Sequence, residues 1–217
     1  MRVAVLDHGM GNLRSVAKAL EAAGADVVVT GKPEEIRRAD GLCVPGQGIF
    51  GRCMQSLETT GLADVVRDWI GDARPYLGIC LGMQVLYESS EERGAQAGLG
   101  VLPGRVERLP SSVTVPHMGW NTVRGAGSAG PQNERGAGSA GPQDEPGPGS
   151  QDERAEWFYF DHSYAVQPSD GAMVRGWCEH GDRFAAWIST GSITAVQFHP
   201  EKSSSAGIAL LRKWLTN

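Results

Sequence analysis

The sequence predicts an α/β protein, a mostly parallel sheet flanked by helices with antiparallel strands added late in the chain. Three observations predict it. Short apolar runs alternate with amphipathic segments from Arg2 to Cys80. The runs in this half are continuously apolar, as strands covered on both faces must be. Strand-like runs then crowd the second half, before a last helical segment.

The elements follow in order. "RVAVLD" (2–7) is a buried first strand. After Asn12, Leu13, Val16, Ala17 and Leu20 keep helical spacing, and Gly24 is the stop. "DVVVT" is a second strand, and Pro33 with Glu34 and Glu35 begins a short helix. "GLCVPG" is a third strand running into a Gly-rich turn. Leu62, Val65, Val66, Trp69 and Ile70 mark an amphipathic helix, and "YLGIC" is the next strand. This βαβα order argues a parallel sheet. "WFYFDHSYAV", "AMVRGWC", "RFAAWI" and "ITAVQF" read as antiparallel additions, closed by a helix near 206–215.

The chain has 217 residues and a formal net charge of −5, which fits one domain over 1–217 with a sizeable core. No long basic stretch points to nucleic acid. No apolar run reaches the ~18–20 residues of a membrane span. The N-terminus meets Asp7 and His8 too early for a signal peptide. Cys43, Cys53, Cys80 and Cys178 are scattered without C-x-x-C pairs. That argues against a disulfide framework and a metal site and for a reducing cytoplasm; nothing calls for a cofactor. One tract stands apart. RGAGSAGPQNE is followed by RGAGSAGPQDE and a degenerate third copy, and over 124–153 no apolar side chain exceeds alanine. Such a tract cannot offset its own ordering entropy, so the expectation is a disordered insert interrupting the domain.

Three motifs carry chemistry. Gly78-Ile79-Cys80-Leu81-Gly82 is G-x-C-x-G at a strand-to-helix junction, the form of a nucleophile elbow with cysteine for serine. The nucleophile must stand on a strained turn, and the glycines let neighbouring backbone pass close by. A helix starting there aims N–H groups at the sulfur. Alone, the pattern is read equally well as core packing. His199-Pro200-Glu201 ends an apolar strand. Residues two apart in extended chain face the same way, so Glu201 can reach back to orient His199. Cysteine, imidazole and carboxylate then supply nucleophile, base and orienter. Pro45-Gly46-Gln47-Gly48, after the third strand, can present a backbone N–H to the elbow, and the Leu81 amide would be the second donor.

G-I-C-L-G-M-Q, P-G-x-G and H-P-E after an apolar strand resemble the triad-type, class I glutamine amidotransferases, whose fold is flavodoxin-like. "DHGMGNLRSV", "PHMGWN", "DHSY" and "QFHPEKS" are similar to the glutaminase subunits of imidazole glycerol phosphate synthase. The resemblance covers the chain except 124–153. It implies that Cys80 attacks the side-chain amide carbon of glutamine, with His199 and Glu201 completing the triad and the Gln47 and Leu81 amides binding the oxyanion. It implies that Gly48, Gln84, Glu92, His162, Ser163 and Tyr164 hold glutamine. It also implies a heterodimer with a (β/α)₈ cyclase that uses the ammonia to make imidazole glycerol phosphate and an aminoimidazole carboxamide ribotide. Asn12, Met118, Trp120, Asn121 and Lys202, with the rest of the 116–121 block, match the partner-facing side.

Each assignment has a plainer counterpart. Met118 and Trp120 read from spacing as core residues, Gln84 and Tyr87 as faces of a helix, Lys202 as a solvated lysine and His162 as structural. Two positions depart from the family's pattern: His8 stands where a tyrosine is expected, and Gln47 where a smaller apolar residue is. The alternatives are a glutaminase subunit of a different ammonia-using synthase, an inert binding module on the same fold, and a stand-alone cysteine hydrolase.

Overall fold

A computed structural model of the chain describes residues 1–125 and 155–216. Nine strands form one mixed sheet. β1 (Arg2–Leu6), β2 (Asp26–Thr30), β3 (Gly41–Gly46), β4 (Tyr76–Cys80) and β13 (Ile193–Val196) lie side by side in the order β2-β1-β3-β4-β13, all parallel. β12 (Asp182–Thr190), β11 (Val174–His180), β8 (His117–Gly125) and β9 (Glu156–His162) continue the sheet antiparallel. A smaller sheet takes the order β10-β7-β5-β6, from β5 (Tyr87–Ser90), β6 (Gln96–Ala97), β7 (Leu102–Arg108) and β10 (Tyr164–Pro168).

The first half matches the expected elements closely. α1 (Leu13–Ala23) is capped by Asn12, whose Oδ1 accepts from the Ser15 N–H at 3.3 Å, and ends at Gly24 with φ 105°. α2 (Pro33–Arg37) has Pro33 in its first turn, and α4 (Leu62–Gly71) buries Leu62, Val65, Val66 and Trp69. α3 (Phe50–Thr59) went unread, although Phe50, Cys53, Met54 and Leu57 keep helical spacing. Successive residues of β1 point to opposite faces: Ala4 and Leu6 join the core under α3 and α4, Val3 and Val5 the core under α1 and α6 (Ser204–Leu215). The central strands β1, β3 and β4 are thus buried on both sides, as continuous apolar strands require.

The second half differs in two ways. "WFYFDHSYAV" is two strands that part at Ser163, β9 joining the large sheet and β10 the small one. The helix after the elbow, α5 (Leu81–Gln84), is a single turn, and Tyr87 opens a strand. The reading of Gln84 and Tyr87 as faces of one helix therefore fails. So short a helix also contributes little dipole at Cys80.

The low-complexity tract begins inside a strand, since Arg124 and Gly125 pair with Trp177 and Gly176; the rest of it lies outside the described residues. β8 and β9 pair antiparallel with Val123 opposite Glu156, so the ends of this segment are already adjacent. Replacing residues 126–154 with a four-residue turn should leave the melting temperature unchanged or higher, since each halving of loop length recovers ~0.6 kcal/mol. A fall of several degrees on calorimetry would show that the tract packs on the fold.

Candidate active site

Cys80 ends β4 with φ 54° and ψ −107°, a conformation that costs a non-glycine residue of order 1–3 kcal/mol. Close packing holds it there. A Cβ on Gly78 would lie 2.5 Å from the Gly82 carbonyl oxygen, and one on Gly82 would overlap the Val44 carbonyl of β3. The Tyr76 hydroxyl, fully buried, donates to that Gly82 carbonyl at 2.7 Å. Both glycines of G-x-C-x-G are thus needed for backbone approach, as the sequence pattern implied.

His199 and Glu201 follow β13, the parallel neighbour of β4. His199 Nδ1 donates to Glu201 Oε1 at 2.8 Å, with both side chains almost wholly buried. This fixes the tautomer and leaves Nε2 as the working nitrogen; Nε2 has no hydrogen-bond partner among the described residues. Burial lowers the His199 pKa, but the Cys80 sulfur and the Glu201 carboxylate outweigh it and bring it up to about 10. The arrangement therefore holds a proton on the imidazole beside the sulfur. The other three cysteines are buried and free, and burial pushes Cys53 and Cys178 up to about 12 and Cys43 higher still. They behave as core residues.

The Gly-rich turn lies next to the elbow because β3 and β4 pair with Gly46 opposite Cys80. Gly46 has no room for a side chain: a Cβ there would meet Leu81 Cβ at 2.5 Å. The two departures from the family pattern both touch this turn. His8 is buried, and its Nε2 donates to the Pro45 carbonyl at 2.8 Å. The Gln47 side chain donates to Asp161 Oδ2 on β9 at 3.1 Å.

A cleft of about 300 Å³ opens over the sulfur. Gly48, Gln84, Glu92, His162, Ser163 and Tyr164 all line it, together with Gln47, Cys80 and Leu81. Every residue matched to glutamine binding is therefore gathered around Cys80. Glu92 also accepts from the Phe50 N–H at 2.7 Å, capping α3. His162 is half of a histidine pair. Burial lowers its pKa to about 3 and that of His117 to about 4, so both stay neutral. Among the described residues no three His, Cys, Asp or Glu side chains cluster to hold a metal ion.

The partner-facing matches divide. Met118 and Trp120 are 61% and 49% exposed, so the core reading of them fails. Asn121 points inward, donating to the Glu179 carbonyl at 3.0 Å and to His117 Nε2 at 3.1 Å. Asn12 is engaged as a helix cap. Lys202 is half-buried, 3.7 Å from Asp161 and 5.4 Å above the Tyr159 ring, rather than a free solvated lysine. Gln197 carries no sequence expectation. It lies two residues before His199, so the period that links His199 to Glu201 also reaches it, and it is fully buried with its Nε2 donating to Cys80 Sγ at 3.5 Å. A polar residue at the end of an apolar strand was the available signal, because buried amides need partners.

If the sulfur holds up the His199 pKa, Cys80→Ala leaves burial opposed by Glu201 alone. The His199 pKa, followed by NMR titration of its ring, should fall well below its value in the parent chain. An unchanged titration would separate the two groups electrostatically. The raised pKa also sets a stability window. The contribution of protonated His199 is full below its unfolded value near 6.5 and is lost as pH rises through about 10.

The glutamine amidotransferase class-I family model matches residues 4–217. Among curated relatives, the imidazole glycerol phosphate synthase subunit HisH of Moorella thermoacetica is 44% identical over 98% of this chain and 93% of its own length. That of Corynebacterium diphtheriae is 42% identical over 99% and 98%. A solved glutamine amidotransferase superposes with a TM-score of 0.71 at 21% identity, covering 99% of this chain and 97% of that one. PurLQS from Thermotoga maritima gives 0.67 at 14% identity, covering 100% and 99%. The chain belongs to the class I glutamine amidotransferases and, within them, to the HisH subunits of imidazole glycerol phosphate synthase.

Proposed function

We propose that the chain hydrolyses glutamine to glutamate and ammonia for histidine biosynthesis, with Cys80 as nucleophile, His199 as acid and base, and Glu201 as the group that orients His199. The observation that carries this is the strained Cys80 at the floor of a cleft, beside a buried His199–Glu201 pair. In the first half-reaction Cys80 Sγ bonds to the side-chain amide carbon. The C–N bond breaks, and the nitrogen leaves as ammonia with a proton from His199. In the second, water attacks the thioester and passes a proton to His199. The C–S bond breaks, and glutamate departs. The oxyanion of each step is assigned to the Gln47 and Leu81 N–H groups, each such donor being worth ~10²–10³ in rate. Gly48, Gln84, Glu92, His162, Ser163 and Tyr164, all in the cleft wall, are assigned to glutamine.

The ammonia goes to a (β/α)₈ cyclase subunit in a heterodimer, which forms imidazole glycerol phosphate and the carboxamide ribotide. The relatives' name as a synthase subunit supports a partner, and the exposed Met118 and Trp120 on β8 offer it an apolar surface, with Asn12 and Lys202 assigned to the same side. Work in the cytoplasm fits four unpaired cysteines, and no helix among the described residues is long and apolar enough to cross a membrane. The low-complexity tract is assigned no part in the reaction.

Chemistry and delivery separate cleanly. In the heterodimer, Cys80→Ala should reduce glutamine-dependent synthesis to background and leave synthesis from ammonium at alkaline pH intact. Glu201→Gln should cost up to ~10⁴ in rate yet leave residual turnover, because Glu201 orients the base and takes no proton. Glutamine-dependent turnover in a folded Cys80→Ala complex would refute the mechanism. Glutamine hydrolysis with and without the cyclase tests the partnership: the lone chain should be slow, and full turnover by it would remove the case for a gating partner.

A further inference from the structure

Cys80 Sγ accepts a hydrogen bond from the Gln197 amide, and the network behind that donor permits only one orientation. Gln197 Nε2 donates to the sulfur at 3.5 Å, while Gln197 Oε1 accepts from Gln84 Nε2 at 2.9 Å. Gln84 Nε2 also donates to the Tyr164 carbonyl at 2.9 Å. A carbonyl can only accept, so the Gln84 amide must present its nitrogen there. That nitrogen then demands the oxygen of Gln197, and the Gln197 nitrogen is left facing the sulfur. Flipping either amide sets donor against donor or oxygen against oxygen in a buried site.

The far end is fixed in the same way. His162 Nδ1 donates to the same Tyr164 carbonyl at 2.9 Å, so its Nε2 accepts from His117 Nδ1 at 3.0 Å. His117 Nε2 in turn accepts from Asn121 Nδ2, whose Oδ1 accepts from the Thr122 N–H at 2.7 Å. Each imidazole thus gives one bond and takes one, as neutral histidines do. The Tyr164 carbonyl has both acceptor positions filled, which pins the strand break at Ser163 against the amide pair.

We propose that Gln197 is a positioning residue, its amide N–H locked by Gln84 and the Tyr164 carbonyl so that it aims the Cys80 sulfur and favours its anionic form. The inference rests on the reading of Cys80 as the nucleophile. An N–H donor to an anion strengthens as charge develops, whereas a flipped or absent amide offers the sulfur a carbonyl or nothing. The charged and titratable groups around the sulfur are His199 and Glu201 beyond β13, Cys53 on α3, and Glu92, Asp161 and His162 in the cleft wall.

The test is the pH profile of alkylation at Cys80 by iodoacetamide, read by mass spectrometry on the full chain, alongside glutamine turnover. Gln197→Met keeps length and removes the donor. Gln197→Asn keeps an amide but draws it back from the sulfur without adding charge, which holds the test open if the methionine variant does not fold. Both should move the alkylation midpoint to higher pH and slow alkylation at neutral pH about tenfold, with kcat falling and KM little changed. Gln84→Met, which frees the Gln197 amide to turn, should move the midpoint the same way by less. A folded Gln197→Met or Gln197→Asn chain with the parent's alkylation profile would overturn the proposal, since a merely structural glutamine would alter stability and not the profile. Undiminished glutamine turnover by the parent chain after complete alkylation of Cys80 would instead overturn the nucleophile reading, and any catalytic service by Gln197 with it.

Discussion

The site depends on one backbone turn. Cys80 is held at a φ that side chains rarely adopt, and only the surrounding packing keeps it there. Gly78 and Gly82 allow β4, the first turn of α5 and β3 to approach within van der Waals range, and the buried Tyr76 hydroxyl pins the Gly82 carbonyl. The same approach brings Gly46 against Leu81 and so sets the Gly-rich turn beside the sulfur. Fold and site are inseparable at this point, because the parallel order β3-β4-β13 brings the Gly-rich turn, Cys80 and the His199–Glu201 pair together from three adjacent strand ends. That is where open α/β sheets place their ligands.

Electrostatics then sorts the histidines. His199 and His162 are both buried, yet their pKa values move in opposite directions. His199 faces a carboxylate and a sulfur, which outweigh its loss of hydration. His162 faces a carbonyl and a second histidine, so burial dominates and it stays neutral. One ring is held protonated beside the sulfur, and the other serves as a neutral link in the cleft wall. Removing Cys80 leaves a poorly solvated His199 whose charge Glu201 alone supports.

Much of this was legible in the residues. Strand ends and caps of the parallel half were marked by continuous apolar runs, by Asn12 and Gly24, and by Pro33. Cys80, His199 and Glu201 stand out in the sequence because each sits in a motif whose spacing has a mechanical reason, and the structure brings them to adjacent strand ends. Other features were hidden by tertiary effects. Nothing in "WFYFDHSYAV" signals that the chain changes sheets at Ser163, since strand formers continue on both sides. α3 was obscured by the glycines before it. The exposure of Met118 and Trp120 follows from which face of β8 turns outward, and their apolar chemistry alone does not signal it. Gln197 was in view, but its role needs the positions of Gln84 and Tyr164, which come from distant parts of the chain.

The claim at the centre is that glutamine is opened by the sulfur of Cys80. Acid-quenching the heterodimer during steady turnover of glutamine, followed by mass spectrometry of its peptides, tests this most directly. A glutamyl thioester on the Cys80 peptide, appearing with turnover and decaying when glutamine is exhausted, is the predicted result. Its trapped amount should rise in a variant slowed at the hydrolysis step. An acyl adduct on another residue, with Cys80 unmodified throughout turnover, would contradict the account.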